Sequence, residues 1–313
     1  MNLAGKIAER ATVIIGDIYS ILPFPGISNP IFIIGCGRSG TTILGKSLSK
    51  HRRITYLNEP RHLWLSVFPE TDIWTSKAYS RNGKLFLTEA DVDFNKGKKL
   101  SRLFRFKTIV NLRPVLVEKL PINNFRLDFI QQIFPDARFI HIYRNGLEVA
   151  RSIQKISEKG GWFGSNIYKW DKLVDYAKNS DDTKKLPELC DTYYDKGLLE
   201  WRLSTEAVVG FLRRLPDDAF LETSYDKFID DPVETISKIL SFIGVDCNPN
   251  VETFVSDTVA RKSSRLDSET ISEKEQIIGG NLLPLSADGG KGLTNKCQMS
   301  EHRLPQNVKT QVT

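Results

Sequence analysis

The stretch that most constrains this chain is Pro30-Ile31-Phe32-Ile33-Ile34, running into Gly35-Cys36-Gly37-Arg38-Ser39-Gly40-Thr41-Thr42 and on to Ile43-Leu44-Gly45-Lys46-Ser47-Leu48. A short β-branched run ends in glycine, and helical spacing of apolar residues resumes beyond the loop, so the pattern predicts strand, glycine loop, helix. Backbone amides at such a junction, together with the helix N-terminus, attract anions. The glycine spacing is that of a phosphate-cradling loop, but the position after Gly40 is Thr41 where a nucleoside-triphosphatase carries lysine. The positive charge sits inside the loop instead, at Arg38, whose planar guanidinium can bridge two oxygens of a phosphate or sulfate. The plain alternative is a tight turn with an incidental arginine.

A second unit of the same kind follows at Ala137 to Tyr143, with a turn at Arg144-Asn145-Gly146 and a helix from Leu147 to Ile153. Phe125 to Phe134 reads as a helix feeding that strand and stopping at Pro135. Asp191 to Arg214 reads as an amphipathic helix, and Ala219 to Thr223 as a strand before a turn at Tyr225-Asp226. Asp231-Pro232 opens a helix that runs to about Ile243, with Gly244 as its stop signal. Uninterrupted apolar strands alternating with helices predict an α/β, three-layer fold of the P-loop type, with a mainly parallel central sheet flanked by helices. Glu70 to Lys99 and Gly160 to Pro187 show weak periodicity and read as loops over the active face. The expected organisation is an N-terminal arm at 1–29, a catalytic domain at 30–278 and a poorly ordered C-terminal tail at 279–313.

At 313 residues, with 40% hydrophobic and 26% charged side chains, the chain can bury a sizeable core and is not of disordered composition. Its net charge of +6 suggests an anionic partner. The basic residues are scattered and match no nucleic-acid reader, so nucleic acid is not the expected partner. Cys36, Cys190, Cys247 and Cys297 lie far apart and imply neither a zinc site nor a disulfide framework. Without a long apolar run or a secretory leader pattern, a cytoplasmic location is expected. The arm reads as amphipathic, with peripheral contact to a membrane surface as its alternative role.

The glycine loop does not stand alone. Ser152 lies eight residues after Arg144; Glu59, in Asn58-Glu59-Pro60-Arg61, lies 21 after Arg38; and Lys119, in Val117-Glu118-Lys119-Leu120-Pro121, lies 25 before Arg144. Together these residues resemble the sulfotransferase family that uses 3′-phosphoadenosine 5′-phosphosulfate, nearest to the branch of tyrosylprotein sulfotransferases and related bacterial enzymes. The resemblance spans about residues 30 to 265. It implies that Arg38, with the amides of Ser39, Gly40, Thr41 and Thr42, holds the phosphosulfate, and that Arg144 and Ser152 grip the 3′-phosphate. Tyr225 is similar to a nucleotide-contacting tyrosine, and Arg261-Lys262-Ser263-Ser264 to a basic loop that closes over the nucleotide. The sequence departs from the pattern at Leu120-Pro121, where relatives carry an acidic residue first, and at Ser263, where cytosolic enzymes carry glycine.

The mechanism this implies is in-line attack of an acceptor hydroxyl on sulfur, with Glu59 as general base, Lys119 donating to the bridging oxygen of the leaving phosphate, and Arg38 steadying the charge. No metal is required by this reading. The acceptor is a carbohydrate, a lipid, a tyrosine or a small molecule. His62 is an alternative base. His141 reads as a buried strand residue, and Trp201 as core rather than a nucleotide platform. Two other functions compete: a kinase-like phosphotransferase, and a nucleotide-binding interaction protein without catalysis.

Overall fold

The computed structural model describes residues 14–164, 167–259 and 271–282. In chain order the elements are helix α1 (14–21), strand β1 (Ile31–Ile34), α2 (Thr41–Leu48), β2 (Ile54–Asn58), α3 (Arg61–Val67), α4 (Phe94–Asn111), β3 (Val115–Lys119), α5 (Leu127–Ile133), β4 (Arg138–Tyr143) and α6 (Gly146–Ser157). There follow α7 (Ile167–Ala177), α8 (Tyr193–Leu212), β5 (Phe220–Ser224), α9 (Tyr225–Asp230), α10 (Pro232–Ile243), α11 (Pro249–Thr258) and α12 (Glu273–Gly279). The five strands form one sheet in the order β2-β3-β1-β4-β5, and every pairing is parallel.

The sheet is covered on both faces, which is why β1 is apolar at every position. Phe32 and Ile34 point to one side, into a core built with Trp64 of α3, Phe104 of α4, Phe129 of α5, Val149 of α6 and Trp201 of α8. Ile31 and Ile33 point to the other, among Leu44 of α2, Phe228 of α9, Ile239 of α10 and Val251 of α11. Each such side chain contributes about 1.5–3 kcal/mol by leaving water. Because β1 is central and successive crossovers run to either side of it, the strand order reverses there. An open parallel sheet makes its ligand crevice at that point, above the carboxyl ends of the strands.

Local signals account for most boundaries. Asn145 caps α6 by accepting from the amides of Leu147 and Glu148. Asp231 caps α10, Pro232 sits at its first position, and Gly244 ends it in the left-handed region at φ 83°. The sequence expectations need correction in three places. Tyr225-Asp226 is not a turn but the first turn of α9, capped by the Ser224 hydroxyl. The segment from Glu70 to Lys99 holds the start of α4, and the segment from Gly160 to Pro187 holds α7. In α4, Gly97, Leu100, Leu103 and Phe104 make the buried stripe, which the intervening lysines conceal. In α7 a buried lysine, Lys169, occupies an inward position beside Tyr168. The rest of the first segment is tied down by the fully buried Arg126, whose guanidinium donates to the carbonyls of Leu85, Thr71 and Lys84.

Candidate functional site

All five strands deliver a candidate residue at their carboxyl ends. The glycine loop leaves β1, Glu59 follows β2, Lys119 ends β3, Arg144 follows β4 and Tyr225 follows β5. Ser152 lies on α6, two turns beyond Arg144. Arg261 and Lys262, with Ser263 and Ser264, lie outside the described residues.

The loop's shape explains its glycines. Gly35 (φ 143°) and Gly40 (φ 94°) take conformations that side chains disfavour, and a Cβ would overlap the Ile142 carbonyl at the first and the Tyr225 ring at the second. Arg38 adopts φ 76° without being glycine, a local cost that a functional loop can hold in place. Gly37 is needed for space: a Cβ there would overlap the Trp162 indole. Beneath the loop, the Gly35 amide donates to Asn124 Oδ1 at 3.1 Å, and Asn124 Nδ2 donates to Ser204 Oγ at 2.6 Å. No side chain caps α2, so the first-turn amides of Thr41 and Thr42 point out of the helix start. The Ser39 hydroxyl is buried with no protein partner.

On the β4–β5 side, two guanidiniums crowd together. Arg38 Nε donates to Ser152 Oγ at 3.0 Å, and Arg144 Nη1 donates to the Arg38 carbonyl at 3.3 Å. Ser152, expected to share an anion with Arg144, is reached here by Arg38. Arg144 instead pairs with Glu148 at 2.6 Å and lies 4.3 Å over the Tyr225 ring. Burial, and then the charge of Arg144, make Arg38 easier to deprotonate than an ordinary arginine. Two neighbouring cations of this kind favour an anion between them. Trp201, expected in the core, is there at 1% exposure, and its Nε1 also donates to the Arg144 carbonyl at 3.0 Å, fixing the turn.

On the β2–β3 side, Glu59 and Lys119 form a 2.8 Å ion pair. Lys119 Nζ also donates to Thr42 Oγ1 at 3.0 Å, and the second Glu59 oxygen pairs with Arg61 at 2.7 Å. The Glu59 amide donates to the Lys119 carbonyl at 2.7 Å and its backbone sits at φ 49°, so the carboxylate is set by strained, hydrogen-bonded geometry rather than by a loose turn. Burial pushes the Glu59 carboxyl up, but hydrogen bonding and charge from Lys119, followed by Arg61, outweigh it and hold the acid below the usual carboxylate range. Lys119 is fully buried, and that burial lowers its pKa against the pull of Glu59. The preceding residue, Glu118, points to the opposite face, where it accepts from Trp64 Nε1 at 3.1 Å; burial pushes it up to about 8.

Several contributors carried little or no sequence signal. Arg61 lies two residues after Glu59 and Glu148 four after Arg144, so their only signal was nearness in sequence. Trp162 carried none. Its indole covers Gly37, and its Nε1 donates to Glu200 Oε2 at 2.7 Å. Glu200 in turn pairs at 2.7 Å with Lys169, whose ammonium lies 4.1 Å over the same indole. His62, the alternative base, lies in the first turn of α3, next to the Arg61 that pairs with Glu59. His141 is buried, as expected, beside Glu222 at 3.0 Å.

Comparison with known proteins sets this geometry in context. Residues 30–249 match the family model described as "Sulfotransferase family". An uncharacterized protein of Aquifex aeolicus (strain VF5) is 27% identical over 207 residues, a match covering 55% of this chain and 26% of that protein's length. Among solved structures, the sulfotransferase domain from the curacin biosynthetic pathway superposes with a TM-score of 0.52 at 14% identity, over 82% of this chain and 98% of that one. Sulfotransferase STF9 from Mycobacterium avium gives a TM-score of 0.50 at 14% identity, over 86% and 77%. At these identities the two structures show a shared fold.

Proposed function

The chain belongs to the sulfotransferase family, and from that premise we propose that it moves the sulfuryl group of 3′-phosphoadenosine 5′-phosphosulfate onto a hydroxyl of a carbohydrate, lipid, tyrosine or small-molecule acceptor. One observation carries the reading: the glycine loop touches both halves of the site, through Thr42 to Lys119 and Glu59 and through Arg38 to Ser152 and Arg144. A nucleotide with a phosphosulfate at one end and a 3′-phosphate at the other needs two anion sites on one frame. The space that glycine leaves at Gly35, Gly37 and Gly40, the unpartnered Ser39 hydroxyl and the paired guanidiniums fit such a ligand.

When bound, the nucleotide supplies an activated sulfuryl group. The chain's own residues do the rest. The amides of Gly40, Thr41 and Thr42, with the Ser39 hydroxyl, hold the phosphosulfate; the Ser39 amide, expected to join them, donates instead to the Cys36 carbonyl at 3.1 Å. Arg38, expected on the phosphosulfate, leans to Ser152 and in this proposal shares the 3′-phosphate with Arg144 and Ser152, against Tyr225. Arg261 and Lys262 belong to this proposal as a closing basic segment. Glu59 takes the acceptor's proton as the new S–O bond forms. Lys119 donates to the oxygen that bridges sulfur and phosphorus as that S–O bond breaks, leaving adenosine 3′,5′-bisphosphate and a sulfate ester.

Thermal unfolding with adenosine 3′,5′-bisphosphate tests the nucleotide site without an acceptor. Ligand at about a hundred times its Kd stabilises the fold by about 2.7 kcal/mol, and Arg144→Ala is expected to abolish that rise. Glu59→Gln is expected to keep the rise while lowering turnover by about 10²–10⁴. Stabilisation by ATP with Mg²⁺ alone would make the site a phosphotransferase and overturn the reading.

A further inference from the structure

The helix α1 is built inside out. Gly16 and Ser20 face α4, with Gly16 against Leu103 and Phe106, while Ile14, Ile15, Ile18 and Ile21 point away at 60, 55, 53 and 71% exposure. Leu22 and Phe24 extend the same surface. A helix held only by packing on its domain turns its large apolar residues inward, and a contiguous exposed apolar patch marks an interaction site. Nor is this a loose end of the chain. Arg102 donates to the carbonyls of Ser20 (3.2 Å) and Phe24 (2.9 Å), Ile27 donates to the Ser101 carbonyl at 3.1 Å, and the Tyr19 ring stacks on Phe24 at 4.7 Å.

We propose that α1 and the turn after it dock the protein on an anionic bilayer surface. Charge complementarity selects this occupant. The helix that carries α1 bears Lys96, Lys98, Lys99, Arg102, Arg105 and Lys107 against one acid, the Asp93 that caps its start, and Asp17 is the one acid on the α1 segment. A second copy seated on this face would bring two such basic helices together, whereas acidic headgroups neutralise them; each lysine or arginine near such a surface contributes about fivefold to binding. Where α1 ends, an open groove of about 410 Å³ runs between Phe24, Phe94 and Ile133, with Lys98 and Arg102 in its walls. Apolar walls beside two cations suit a phosphate headgroup and the start of its acyl chain. No helix among the described residues is long and apolar enough to cross a membrane, so the contact is peripheral, with α1 lying in the interface plane. This inference does not depend on the catalytic reading.

The test is co-sedimentation of the full chain with vesicles of phosphatidylcholine alone or mixed with phosphatidylglycerol, at low and high salt. The protein is expected to pellet with the anionic vesicles and to be released by salt. The triple variant Ile15→Ser/Ile18→Ser/Ile21→Ser is expected to partition at least about tenfold more weakly with an unchanged unfolding midpoint. Lys98→Glu, on an exposed position, is expected to weaken binding by about tenfold or more without touching α1. Protein that stays in the supernatant with both vesicles, or variants that bind undiminished, overturns the proposal. So does a wild-type dimer that the triple variant splits into monomers without any vesicle binding, which would make the face a contact between copies.

Discussion

At the scale of single residues, the most informative group is Glu59, because its surroundings set both its charge and its reactivity. It sits between Lys119 at 2.8 Å and Arg61 at 2.7 Å, and those cations hold it ionised below the usual carboxylate range. In the proposed reaction a base held down in this way is ready at neutral pH, with the Lys119 ammonium beside it for the leaving group. The acid limb of kcat/KM, which reports the base in the free enzyme, is therefore expected below the ordinary glutamate value of about 4.3. Arg61→Gln removes one cation and keeps Lys119, so the limb is expected to move to higher pH with the bisphosphate-induced stabilisation intact. A limb that does not move would separate Arg61 from the titration of Glu59. The offsets of Glu59 and Lys119 from the two arginines were legible in sequence, but their ion pair was not. Neither Glu118-Lys119 nor Asn58-Glu59 looks like the end of a buried strand, because polar residues interrupt the apolar run that marks one.

At the scale of elements, the strands and helices that could be read were those with an unbroken apolar run or a strong cap. They include β1, β4, β5, α2, α5, α8, α6 with Asn145, and α10 between Asp231-Pro232 and Gly244. Among those that escaped, β2, β3, α4 and α7 each place polar residues at buried positions or lysines between apolar ones, and only tertiary partners resolve them. The buried Lys169 of α7 is the clearest case, since its partner Glu200 lies 31 residues away on α8. That ion pair seats Trp162 over Gly37, so the segment leading into α7 forms one wall of the glycine loop. Gly37→Ala is expected to push the indole aside and to destabilise the fold by about 1–3 kcal/mol. In a Trp162→Ala background, where the obstacle is gone, the same substitution is expected to cost less. A double-mutant cycle by thermal unfolding reads the difference, and strict additivity would show that the loop and the indole do not bear on each other.

At the scale of the whole molecule, the order β2-β3-β1-β4-β5 divides the chemistry. Glu59 and Lys119 lie on one side of β1, Arg144 and Tyr225 on the other, and the loop from β1 is the frame they share. A ligand that engages both anion sites therefore ties together two halves of the sheet, and its binding energy is spread over strand ends that are far apart in sequence. Local openings of those ends become rarer in proportion to the stabilisation. Adenosine 3′,5′-bisphosphate is thus expected to slow amide hydrogen exchange in the loops after β1, β3, β4 and β5 together, with the largest effect in residues 35–42. The α1 face, packed on α4, is expected to exchange at the same rate with and without the ligand. Protection confined to the β4–β5 side would mean that the nucleotide reaches Arg144 but not Lys119. The two clusters would then be separate anion sites, and Lys119 would have no bridging oxygen to serve.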